Sequence, residues 1–123
     1  MAQEVKQQEI MEDVIKAKDF HGRQFKVFTS NFHVIKAGVR YFAVDLGMSF
    51  TSTKISKNFP ITASVAGSCL SMLEVLDVIE QRTESSSQSR YMASDVDMER
   101  MMEIEEILVE SREITPFTGV QND

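Results

Sequence analysis

The first apolar pattern along the chain is helical. Between residues 3 and 18, Val5, Ile10, Met11, Val14 and Ile15 fall largely on one side of a helix, with Glu, Gln and Lys elsewhere. This helix is expected to end near Phe20-His21-Gly22, where glycine accepts a left-handed C-terminal conformation. Glu12 and Lys16 form an i,i+4 pair in the favourable order.

Residues 24–56 read as β structure. Phe25, Val27 and Thr29 alternate with Lys26, Phe28 and Ser30, and Phe32 to Ile35 is rich in strand formers. A third strand is expected over Val39 to Leu46, with Arg40, Phe42, Val44 and Leu46 on one face and Val39, Tyr41, Ala43 and Asp45 on the other. Short turn signals at Ser30-Asn31, Ala37-Gly38 and Gly47 favour an antiparallel meander over parallel crossovers, which need longer connections. Residues 49–56 are more polar and read as an edge strand.

Asn58-Phe59-Pro60 breaks this pattern, because the proline drives residue 59 to an extended conformation. A helix is expected over 64–82, capped by Thr62 or Ser64 and apolar on more than one side, hence central. Residues 83–91 read as a flexible Ser-rich linker. An acidic helix is expected over 94–112 behind Ser94, with Met98, Met101, Ile104, Ile107 and Leu108 as its apolar face, followed by a polar tail at 113–123. The expected fold class is therefore α+β: an N-terminal helix, an antiparallel β-meander of three to four strands, and two C-terminal helices packed on the sheet.

Length and composition fit this picture. A chain of 123 residues with 42% hydrophobic content makes one domain with one core. A single cysteine, Cys69, leaves no intramolecular disulfide and suits a reducing compartment, or simply a core that needs no staple. No stretch approaches the ~20 apolar residues of a membrane helix, and the charged N-terminal segment lacks an apolar signal region. A cytoplasmic location with no membrane contact is expected on those grounds.

The net charge of −6 conceals two opposed segments. From Phe20 to Pro60 six Lys or Arg face one acid, Asp45, a net +5; from Ser94 to Asp123 nine acids face two Arg, a net −7. Glu99, Glu103, Glu106 and Glu110 line one side of the acidic helix. The basic segment also carries seven of the eight Phe. Basic residues beside exposed aromatics on a sheet are suited to phosphates and stacked bases, with Lys26, Lys36, Arg40 and Tyr41 as the candidate contacts. The run Arg40-Tyr41-Phe42-Ala43-Val44 is similar to an RNA-recognition strand, except that the glycine between basic residue and aromatic is missing.

One further motif stands out. Ala43-Val44-Asp45-Leu46-Gly47-Met48-Ser49 and the Ser/Thr residues up to Lys54 resemble the first phosphate-binding hairpin of the sugar-kinase/actin superfamily. The resemblance covers about a dozen residues and implies Asp45 near a metal and Ser49 at a phosphate. That superfamily closes two large domains over nucleotide, which a chain of this length does not supply, and turn chemistry alone accounts for the segment. His21, His33 and Cys69 have no zinc-like spacing. No P-loop, dinucleotide fingerprint, nucleophile elbow or metalloprotease motif is present, so neither catalysis, nor a metal, nor any other cofactor is expected.

The functional expectation is a non-enzymatic protein–protein interaction module, a subunit of a homo-oligomer or larger complex. Its contact residues would be Met98, Met101, Ile104, Glu105 and Leu108 on the acidic, Met-rich C-terminal helix. The alternatives are a nucleic-acid binder using the basic sheet, and an acidic inhibitor that blocks a nucleic-acid-binding partner.

Overall fold

The computed structural model describes residues 2–81 and 90–116. Six α-helices account for most of them: α1 (Ala2–Phe20), α2 (Gly22–Ser30), α3 (Phe32–Arg40), α4 (Ser52–Asn58), α5 (Ala63–Val75) and α6 (Met98–Glu110). A π-helical turn, Tyr41–Asp45, extends α3, and a 3-10 turn, Ala93–Asp95, precedes α6. The β-meander is not there. Among the described residues the only β pairing is two isolated bridges, Phe50 to Tyr91 and Gln81 to Tyr91. The fold class is mainly α, not α+β.

The reason lies in which residues are buried. Phe25, Phe28, Phe32, Ile35, Val39 and Phe42 all face the core, at alternating steps of three and four. That is a helical period sustained over five turns. Phe25 and Phe28 would point to opposite faces of a strand; on a helix they share one. The β-forming character of Phe, Val, Ile and Tyr is largely a packing preference, and here the packing is on helices.

Two of the expected turns are kinks in a continuous helical path. At the first, His21 N–H still donates to Ala17 O (2.8 Å) and Phe25 N–H to His21 O (2.7 Å). At the second, Asn31 leaves helical geometry (φ −122°, ψ 17°) while its side-chain amide donates to Val27 O at 2.9 Å. The third, Gly38, lies inside α3, where Ile55 of α4 presses against it. Gly47 alone behaves as a turn residue, with φ +61° closing the π turn.

α5 is the central helix. It packs on α2, α3 and α4, and Ala66, Cys69, Leu70, Met72 and Leu73 are all buried. α1 packs on α2 and on α6, and its Ile10, Val14 and Ala17 are buried. Thr62 caps α5 by accepting from Val65 N–H. The helix ends at Val75, well short of residue 82, because Asp77 takes a left-handed backbone (φ 65°) and the chain turns back with Val78 N–H on Leu73 O. Phe59 is extended (φ −134°, ψ 155°) before Pro60.

The remaining boundaries also shift. Ser94 lies in the 3-10 turn, and Asp97, whose carboxylate accepts from Arg100 N–H at 2.9 Å, caps α6 instead. Residues 82–89 of the Ser-rich segment lie outside the described residues. Tyr91, assigned to that linker, is a core residue: it exchanges backbone hydrogen bonds with Phe50, stacks on its ring at 5.6 Å and donates its hydroxyl to Glu74. In the tail, Ile114 is buried, while 117–123 lie outside the described residues. None of the described helices is long and apolar enough to cross a membrane.

Candidate functional site

α3 buries Phe32, Ile35 and Val39, so its opposite side carries His33, Lys36, Ala37 and Arg40 at helical spacing. The wider π turn that follows turns Tyr41 and Asp45 to the same side. Phe59, held extended by Pro60, closes the far wall with its ring 5.8 Å from that of Tyr41. Together these seven residues line an open groove of about 420 Å³. Arg40 and Asp45 are both exposed on its walls.

A second groove, of about 490 Å³, lies beside the first and shares Lys36 with it. Its other walls are Met102, Glu105, Glu106, Val109 and Glu110 of α6, with Pro116 from the segment beyond. Met102, Glu106 and Val109 recur at i, i+4 and i+7, and Met102 is 48% exposed. The ridge between the grooves is an ion pair. Lys36 Nζ donates to Glu105 Oε1 at 2.5 Å, and both side chains are largely buried. His33 supports this ridge, with Nδ1 4.0 Å from the Glu105 carboxylate and Nε2 2.7 Å from Thr115 O.

The expected partner contacts are placed unevenly. Met101, Ile104 and Leu108 are fully buried and Met98 is half-buried, so α6 turns its apolar face onto its own domain. Glu105 is spent on Lys36. What α6 offers outward is Met102 with Glu99, Glu106 and Glu110. The i,i+4 spacing of Met102 and Glu106 was visible in the sequence but was masked by the stronger apolar stripe beside it.

Of the expected nucleic-acid contacts, Lys36, Arg40 and Tyr41 meet in the first groove, while Lys26 is exposed on α2 and does not line it. They meet on a helix, not a sheet. Asp45 joins them, but the strands of a phosphate-binding hairpin are missing: Asp45 ends a π turn, and Ser49 O accepts from Lys54 Nζ at 3.3 Å. No group of three or more His, Cys, Asp or Glu among the described residues converges as a metal site. Cys69 is buried, and burial pushes its thiol up to about 12, well outside the range of a reactive thiolate.

Exposed apolar residues also gather near the end of the π turn. Val44, Leu46 and Met48 follow one another there, and the Phe50–Tyr91 bridge brings Met92 across from Ser49. Comparisons with protein-family models, with curated proteins and with solved structures find no match to this chain.

Proposed function

We propose that this chain is a non-enzymatic protein-interaction module whose contact surface is the outward side of α6. The observation that carries this reading is the α6 groove itself. A 48%-exposed methionine, the exposed Pro116 and the half-buried Val109 supply apolar contact, and Glu106 and Glu110 frame it with negative charge. A flexible thioether within an acidic frame is suited to a partner segment that is apolar and basic together. The buried face of α6 does not enter the contact, because Met101, Ile104, Ile107 and Leu108 hold the domain together.

A nucleic-acid reading has less support. It needs several free cations on one surface, yet Lys36 is neutralised by Glu105 and Lys26 lies elsewhere, which leaves Arg40 alone among the expected basic contacts.

The test uses surface substitutions, since removing α6 would strip four side chains from the core. Wild type and the variant Met102→Lys/Glu106→Lys are immobilised at equal density in host extract, after circular dichroism shows equal helicity. The reading expects at least one protein retained by wild type and depleted tenfold or more by the variant. Identical retained sets for the two proteins would remove it.

A further inference from the structure

We propose that the partner of the α6 groove is a second copy of this chain, which lays its α3 groove on it. The inference rests on the interaction reading above and adds the partner. Two grooves lie next to each other and share Lys36 of the Lys36–Glu105 ridge. What one groove offers is what the other lacks. The α6 groove presents Glu106 and Glu110 around an exposed methionine. The α3 groove presents an exposed guanidinium, Arg40, beside the rings of Tyr41 and Phe59.

A two-fold axis lying in the contact plane, along the ridge, exchanges the two grooves. It sets each copy's α3 groove over the other copy's α6 groove, so the same pair of contacts forms twice. This is the self-complementarity that an isologous dimer requires. Met102 of one copy then meets Tyr41 and Phe59 of the other, a sulfur–aromatic contact. Arg40 of one copy meets Glu106 and Glu110 of the other, a charge-assisted fork. The Arg40 guanidinium has no ion pair or hydrogen bond within its own chain among the described residues, so dimerisation supplies one without breaking another. The Lys36–Glu105 pair at the axis is already neutral and adds no repulsion. Asp45, the acid that lines the α3 groove, carries the one like charge the contact must keep clear of the partner's glutamates.

The experiment is sedimentation equilibrium on three full-length variants beside wild type. Arg40→Glu places glutamate against Glu106 and Glu110 at both contacts. Glu106→Arg/Glu110→Arg places arginine against Arg40 at both. Wild type is expected at twice the chain mass, weakening as salt rises, and each of these two variants at the single-chain mass with unchanged helicity. An equimolar mixture of the two is expected to return to the double mass, because every contact in the mixed pair is again between opposite charges. The combined variant, Arg40→Glu/Glu106→Arg/Glu110→Arg, is expected to dimerise alone for the same reason. A wild type that stays at the single-chain mass up to hundreds of micromolar overturns the proposal. So does a dimer that survives both charge reversals, or a mixture that does not reassemble. A single-chain mass together with a Met102/Glu106-dependent partner in extract would overturn the second-copy proposal and leave the interaction reading standing. Loss of both overturns both.

Discussion

Gly38 marks the closest approach of α3 to α4. A Cβ placed there would lie 2.9 Å from Ile55 Cγ2, and Ile55 is fully buried with a stiff, branched side chain. Alanine would gain about 1 kcal/mol of helix propensity, but overpacking costs typically about 1–3 kcal/mol. Gly38→Ala is therefore expected to lower stability by ~1 kcal/mol in wild type. In an Ile55→Ala background the obstruction is gone, and the same substitution is expected to be stabilising. Urea unfolding of the four proteins of this cycle checks the reversal, and equal effects in both backgrounds would count against it. Cys69 offers a second test at this scale. Its thiol is raised from 9.0 to about 12 by burial. A raised acid contributes stability that is fully present below the unfolded value and lost as pH climbs toward the folded one. Relative to Cys69→Ala, wild type is expected to hold a constant stability difference up to about pH 9 and to lose ground above it. A flat difference from pH 8 to 10.5 would contradict the buried thiol.

At the scale of elements, three helices start on side chains that accept a backbone N–H. Thr51 accepts from Lys54 at 3.1 Å, Thr62 from Val65 at 3.2 Å and Asp97 from Arg100 at 2.9 Å. Alanine at any of the three is expected to cost about 1 kcal/mol in thermal or urea unfolding. Ser64 and Ser94 have equal capping chemistry on paper. The first lies within α5 and the second within a 3-10 turn, so alanine there is expected to stay within about 0.5 kcal/mol. The sequence narrowed the start of α5 to Thr62 or Ser64, because the apolar run begins just after them. It placed the start of α6 at Ser94 because serine followed by Asp95 and Asp97 is a good local signal. The actual start is set by Asp97 N–H donating to Val78 O at 2.9 Å, a contact with the end of the α5 segment that no local pattern reports.

Over the whole molecule, one side chain joins three parts. Arg100 on α6 donates Nε to Leu76 O at the end of α5, at 2.7 Å, and pairs with Asp13 of α1, also at 2.7 Å. It is largely buried, whereas Asp13 is 44% exposed at its side chain. Arg100→Met is expected to lower stability by about 2 kcal/mol, since hydrogen bonds involving a charged group are worth about 1.5–3 kcal/mol. Asp13→Asn is expected to cost well under 1 kcal/mol, because solvent screens the exposed partner. Comparable losses for the two would place the weight on the ion pair and not on the Leu76 carbonyl.

The sequence alone carried the helical first segment, the central apolar helix near residue 70, the apolar stripe of the last helix and the opposition of basic middle to acidic end. Each is a property of spacing or charge within one element. It also contained the step pattern Phe25, Phe28, Phe32, Ile35, Val39, Phe42, yet the strand-forming character of those residues spoke for a sheet. Only the tertiary structure chose between the two periods, because the choice depends on which surface the aromatic side chains meet, and α5 offers them a helix. It alone decided that Met101, Ile104 and Leu108 face inward while Met102 faces out, and that Lys36 is tied to Glu105, 69 residues away. The α3 groove exists because Phe59 returns against Tyr41, and the α6 groove because Lys36 reaches Glu105, relations that no single element's pattern contains.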